Sequence, residues 1–356
     1  MPLLAKFQTI IIVLFFSIFY IYTTNTPVNI KGDEYIEYTK DIEVLNFESL
    51  LSFPDKGFNE NNPHKNIYDH TKITPYEFKK ILTDLHANNY ILITPKEIFE
   101  NTSSQLFFKK LLLPKNKKPI MLLFNNINYK NSHSNPAEID KIIIDRNNQP
   151  ATYSTHKSIR NRIAYDNEFV TILENFIQSN PDFSLNNSRG IIFLSGKNGI
   201  LGYSTNPRNS SSSHDKKRVL EVIENLKTRG WEFGCNNYTY TTTSNSLSKI
   251  EFTKDLSLWQ KEIRPLIGAT PYYLSKEVSI NDTIKIQSLI DNDFRVLFFD
   301  DKKAELLKKD SYINFTYKDV NGNTLRSNHD IFIDMFNSRN VYDHSTRFVP
   351  FDSIST

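Results

Sequence analysis

A chain of 356 residues with 39% hydrophobic and 13% aromatic side chains is long enough to bury a large core in one main domain. Its 43 basic and 40 acidic side chains leave a formal charge of +3, too little for a surface that tracks a phosphate backbone, so no nucleic-acid partner is expected. The one cysteine, Cys235, excludes an internal disulfide framework and any zinc cluster built on thiolates.

After Lys6 the stretch Thr9 to Tyr22 is uncharged and almost wholly apolar, and extended back to Leu3 it is just long enough to span a bilayer. No small residues of A-x-A type follow it; Tyr20, Tyr22, Thr23 and Thr24 stand there instead, so an uncleaved signal anchor over residues 1–25 is expected. Lys6 on the short side puts the remainder outside the cytoplasm, as a single-pass protein of the cell membrane. A linker over residues 26–40 and one domain over residues 41–350 complete the expected organisation.

From about residue 40, short apolar runs alternate with amphipathic helices, the pattern of parallel strands covered by helices. Ile42 to Phe47 reads as a first strand, and Thr74-Pro75 as the cap and first turn of a helix with Phe78, Ile81, Leu82 and Leu85 on one face. Ile91 to Thr94 follows. The basic run Lys109, Lys110, Lys115, Lys117 and Lys118 reads as a solvated linker. Pro119 to Phe124 is a continuous apolar strand that ends in Asn125 and Asn126. Asp166 is the expected cap of a helix bearing Phe169, Ile172, Leu173, Phe176 and Ile177, which leads to the strand Gly190 to Leu194. Asn209 to His214 reads as a loop tip. A helix with Val219, Val222, Ile223 and Leu226 inward stops at Gly230 and delivers WEFGC. Further units follow: a helix around Leu256 to Ile267, the run YYL, a helix around Ile284 to Ile290, and Arg295 to Phe299. This succession predicts a barrel or partial barrel, with working residues on the loops after the strand carboxyl ends.

Four segments in order, NPDFS (Asn180 to Ser184), SGKNGILGYST (Ser195 to Thr205), LKTRGWEF (Leu226 to Phe233) and LWQKEIRPLIG (Leu258 to Gly268), resemble the polysaccharide deacetylases of Gram-positive bacteria, the NodB-type domain of carbohydrate esterase family four. The resemblance runs from roughly Ile42 to Arg347 and implies an α/β fold, a distorted (β/α)7 barrel. In that family the strand matching PIMLLF ends in two aspartates, a catalytic base and a metal ligand; here Asn125 and Asn126 stand there. Two family histidines that complete a divalent-metal site are matched by Asn236 and Tyr240, a histidine after the first strand by Glu48, and a later Y-P-F-G-like segment loosely by Tyr273 to Lys276. Hydrolysis of an N-acetyl group needs a metal to polarise the carbonyl and acidify water, with a carboxylate as proton acceptor, and neutral amides and a phenol supply neither.

The resemblance therefore implies an inactive deacetylase-like protein at the cell envelope, with no zinc or other cofactor, either structural or binding cell-wall glycan through Asn125, Asn126, Asn236, Tyr238 and Tyr240. One alternative is an active metal-dependent deacetylase of peptidoglycan or another N-acetylated polysaccharide, with zinc ligands relocated among Asp300, Asp301, His133, His156, His214, His329 and His344. Another is an envelope scaffold that uses the barrel to dock protein partners. Cys235 is expected as an apolar filler and Trp231 as a core residue.

Overall fold

The computed structural model describes residues 34–101, 106–129, 136–206, 211–239, 247–276, 278, 281–300 and 311–351. The expected signal anchor lies outside them, and among the described residues no helix is long and apolar enough to cross a membrane.

Eight strands build one parallel sheet: β1 Glu43–Phe47, β2 Tyr90–Leu92, β3 Lys118–Phe124, β4 Ile191–Leu194, β5 Glu232–Cys235, β6 Tyr272–Ser275, β7 Val296–Phe299, and β8, which runs as Ile313–Thr316 and resumes as Lys318–Asp319. Strands β3 to β7 pair in chain order and β1 flanks β3. The first half of β8 pairs with β7, and its second half turns to pair with β1, Lys318 opposite Leu45 and Asp319 opposite Asn46. This closes the sheet into a ring of seven staves, while β2 is wedged against the start of β3, Tyr90 opposite Lys118.

Alternation along the staves divides the core in two. Val44, Met121, Leu123, Ile191, Phe193, Tyr272, Leu274, Val296, Phe298, Ile313 and Phe315 form one buried cluster that includes no residue of the long helices, and this is the barrel interior. The intervening residues, among them Leu45, Phe47, Leu122, Phe124, Ile192, Leu194, Tyr273 and Leu297, join the helix residues in the outer layer. The covering helices are α1 Pro75–Ala87, α2 Phe169–Ser179, α3 Ser212–Thr228, α4 Lys249–Glu262 and α5 Thr283–Asp291. Thr74 caps α1 as expected, in a reciprocal capping box with Glu77. The chain leaves α3 through Gly230, at φ +98°, where an added Cβ would lie 2.0 Å from the Asn187 carbonyl oxygen; only glycine fits.

Several local expectations are corrected. The cap of α2 is Glu168, whose carboxylate accepts from the Phe169 N–H, while Asp166 reaches out to Lys79. Ser212 and His214 belong to α3 instead of a loop tip, because the helix extends a full turn beyond its apolar face. The basic run is not a linker: Leu106–Phe108 and Leu112–Pro114 are strands, paired with Phe99–Asn101 and Tyr35–Glu37. Four of its lysines form ion pairs, Lys109 with Glu100, Lys110 with Glu37, Lys115 with Glu34 and Lys117 with Asp182, and Lys118 lies over the Tyr90 ring.

The carboxyl-terminal segment is tied down by buried charges. Arg347 donates from Nε to Glu77 Oε1 at 2.6 Å and from Nη2 to Oε2 at 2.9 Å, and also contacts Asp69 Oδ1 at 3.0 Å, which in turn faces Arg326 at 2.7 Å through Oδ2. Removing one member strands the others without water. Arg347→Met is therefore expected to lower stability by about 3–5 kcal/mol in urea unfolding, while Lys110→Met, which breaks a surface pair, leaves the midpoint unchanged. Equal effects of the two would refute this role.

Candidate functional site

Where the apolar layers of the barrel interior end, at the carboxyl ends of the strands, the inward-facing series continues in polar residues. Asn46 follows Val44 on β1, Asn125 follows Leu123 on β3, Ser195 follows Phe193 on β4, Asn236 follows Gly234 on β5, Lys276 follows Leu274 on β6, and Asp319 ends β8. The ladder persists to this level: the Asn125 N–H donates to the Phe47 carbonyl at 2.8 Å and the Asn236 N–H to that of Leu194 at 3.2 Å.

Hydrogen bonds cross the mouth. Asp319 accepts from Asn46 Nδ2 at 2.5 Å and from Lys276 Nζ at 2.7 Å, and Asn46 Oδ1 accepts from Asn125 Nδ2 at 3.1 Å. Because an ionised carboxylate only accepts, Asp319 fixes which way the Asn46 amide points, and that in turn selects a donor at position 125. Burial opposes the charge on Lys276, but Asp319, Glu48 and Asp300 outweigh it and raise its pKa. A cavity of about 210 Å³ opens here, lined by Asn46, Glu48, Thr71, Lys276, Asp319, Val320 and Asn321.

Of the expected pocket residues, Asn125 and Asn236 belong to this mouth, 0% and 4% exposed. Among the described residues, Asn125 Oδ1 and Asn236 Nδ2 find no hydrogen-bond partner, and neither does Ser195 Oγ, 2% exposed. Asn126 sits at φ +56°, a left-handed position asparagine tolerates, and its Oδ1 accepts from Asn128 Nδ2. Tyr238 turns outward, its hydroxyl on Glu262 of α4 at 2.9 Å and its N–H on Asp255. Tyr240 lies outside the described residues. Cys235 is fully buried in the outer layer, where burial raises its thiol pKa and makes it a packing group. Trp231 is likewise core, donating to Glu174 Oε1 at 2.8 Å.

Sequence reasoning did not anticipate the cluster beneath the loop after β1. Glu168, buried at the start of α2, accepts from the Leu50 N–H at 3.0 Å and lies 3.4 Å from Ser52 Oγ. Lys72 donates to Ser49 Oγ at 2.6 Å and pairs with Glu138 at 3.2 Å and Glu48 at 3.6 Å. Burial pushes the Glu168 carboxyl up to about 8, against the Phe169 and Leu50 N–H groups and Lys72, which favour its anion. Burial also works against the Lys72 charge, but Glu138 and Glu48 overcome it and raise its pKa. The cluster fixes the loop that carries Glu48 to the mouth.

Among the described residues, no three His, Cys, Asp or Glu side chains stand together as metal ligands would. His214 is exposed beside Asp215, His344 contacts the Arg339 carbonyl, and Asp300 is exposed at the end of β7. His133 and Asp301 lie outside the described residues.

No protein-family model matches the sequence, and no curated protein matches it. Among solved structures, the chain is similar to a Streptococcus pyogenes deacetylase, PplD, in complex with acetate, at 9% identity and a TM-score of 0.44, over 85% of this chain and 100% of that one. It is also similar to a de-N-acetylase from Aggregatibacter actinomycetemcomitans, at 11% identity and a TM-score of 0.44, over 79% and 95%.

The raised pKa of Glu168 has a stability consequence with a definite sign. An unfolded glutamate ionises near about 4.3, and the folded one near about 8. The group's contribution is therefore complete below the unfolded value and is lost as pH rises toward 8, at most about 1.4 kcal/mol per pH unit. Glu168→Gln keeps the backbone acceptor without the titration, so its urea midpoint should fall less than the wild type's between pH 5 and 8. Parallel slopes for the two proteins would contradict the assignment.

Proposed function

We propose that the protein is a polysaccharide deacetylase-like barrel without hydrolytic activity, held at the outer face of the cell membrane by its amino-terminal apolar segment, and that it binds cell-wall glycan at the barrel mouth. One observation supports the loss of activity: the strand-end positions 125, 126 and 236, which the resemblance assigns to a base and to metal ligands, hold neutral amides. Asn125 Nδ2 is committed to Asn46, Asn126 Oδ1 to Asn128, and Asn236 ends in an unpartnered Nδ2. This donor set does not fit a divalent cation, which wants charged oxygens or imidazole nitrogens converging on one point.

Glycan binding is supported by the character of the cavity. Among the described residues, each lining side chain but Val320 ends in an amide, hydroxyl, carboxylate or ammonium group. Such groups answer sugar hydroxyls, each of which both donates and accepts. A face suited to docking a folded partner would offer a larger apolar centre.

The purified full-length protein is expected to hold no stoichiometric zinc and to leave acetylated chitooligosaccharides intact. The triple change Asn126→Asp, Asn236→His and Tyr240→His should restore zinc binding before any activity, since three ligands are needed at once. Activity should then also require Asn125→Asp as proton acceptor, a step contributing about 10²–10⁴-fold. Zinc that survives dialysis in the unmodified protein and is lost on mutating Asp300, Asp301 or a histidine would overturn the proposal in favour of a relocated site.

A further inference from the structure

We infer that the end of the barrel opposite the mouth lies against the lipid headgroup layer, through the exposed apolar side chains Tyr35, Phe107 and Leu112. The inference rests on the membrane-held reading above and adds which way the barrel faces.

The geometry follows from alternation in two short ribbons. Leu106–Phe108 pairs with Phe99–Asn101, and Leu112–Pro114 with Tyr35–Glu37, both antiparallel. Phe99, Leu106 and Leu113 join the cluster of the barrel interior, with Ile191, Tyr272, Val296 and Ile313, each the first residue of its strand. The ribbons therefore close the barrel at the amino ends of the staves, away from the mouth. Successive strand residues point to opposite faces. Phe107 and Leu112, next to the inward-facing Leu106 and Leu113, turn away from the barrel. Tyr35 does the same, because its neighbour Ile36 stands opposite Leu113. The three are 52%, 50% and 44% exposed in the order Phe107, Leu112, Tyr35. A lone exposed apolar group is ordinary, but several turned the same way within one stretch mark an interaction surface.

The occupant is indicated by where the chain enters. The Glu34 carbonyl accepts from the Lys115 N–H at 2.9 Å, so the chain joins the fold on this ribbon. The apolar stretch of the amino terminus ends at Tyr22, and the residues from there to Glu34 can span no more than roughly 45 Å. A bilayer that holds the apolar stretch is thus within reach of this face. Tethering raises the effective concentration of the patch at the surface, so a weak intrinsic affinity suffices.

The chemistry suits the same occupant. Tyrosine and phenylalanine settle at the boundary between headgroups and acyl chains. Lys109, Lys110 and Lys115, interleaved with the patch, are paired with Glu100, Glu37 and Glu34, so apolar contact carries the binding more than attraction to anionic lipid. The mouth stands at the far end of staves such as the seven-residue β3, roughly 20 Å farther from the bilayer, and opens toward the wall.

The test adds a tryptophan to the full-length protein in vesicles of phosphatidylcholine and phosphatidylglycerol, plain or brominated in the acyl chain near the headgroup. Trp231 and Trp259, 2% and 0% exposed, give the background in the unsubstituted protein. Phe107→Trp and Leu112→Trp should both lose emission in brominated vesicles. Ile250→Trp, exposed at the start of α4 beyond the carboxyl end of β5, should not. Combining Phe107→Asp and Leu112→Asp with Tyr35→Trp should abolish quenching of that indole while the protein still floats with the vesicles. A floating protein whose reporters at positions 107 and 112 stay unquenched overturns the docking and leaves the anchor standing. That holds also where they are shielded from aqueous iodide, as a second copy or residues 23–33 over the patch would shield them. Equal quenching at position 250 overturns the orientation. A protein that does not float with vesicles overturns the membrane-held reading and this inference with it.

Discussion

The barrel is a ring because one short stave is shared. β8 pairs with β7 through Ile313–Thr316 and, after Tyr317, with β1 through Lys318–Asp319, so each half supplies only part of a normal ladder. Two backbone registers alone make a weak seam. What reinforces it at the mouth is the side chain of Asp319, which takes Asn46 from one side of the seam and Lys276 from across the ring. The Val320 N–H adds a bond to the Asn46 carbonyl at 2.8 Å. Ring closure and the polar layer of the mouth are thus one arrangement.

That coupling explains why an amide stands at position 125. Asn46 must donate to Asp319, so its oxygen is left facing Asn125, and only a donor there is tolerated. An aspartate at 125 would set two acceptors against each other unless Asn46 turned over, and turning it over would set its oxygen against Asp319. The amides of Asn46 and Asn125 are thus consistent with each other and with the Asp319 carboxylate they serve.

Much of the scaffold could be read from local pattern. Strand runs such as Pro119 to Phe124, the Thr74-Pro75 cap and the turn at Gly230 are set by neighbours a few residues away, and the structure has them where propensity puts them. The errors occur where distant residues decide. Asp166 is the more usual cap residue, yet Glu168 is used because Leu50 and Ser52, 118 and 116 residues away in sequence, enclose its carboxylate. The basic run is solvated as expected, but it reads as a linker because the strands it adjoins pair with Tyr35–Glu37 and Phe99–Asn101, short segments with no strong strand pattern of their own. Tyr238 follows a strand end and so resembled a rim residue, but Glu262 and Asp255 on α4 draw it outward.

The mouth itself was half legible for the same reason. Asn125 and Asn236 follow apolar strands and could be placed on a rim, but Asn46, Lys276 and Asp319 each look like an ordinary polar residue near a strand end. Their convergence depends on how the ring closes and on the alternation of every stave counted back from its apolar interior. A shift of one residue in β8 would turn Asp319 into the helix layer, bring its neighbour into the mouth and leave Asn46 without its acceptor. The register of one two-residue pairing therefore decides both whether the barrel closes and what chemistry its mouth presents.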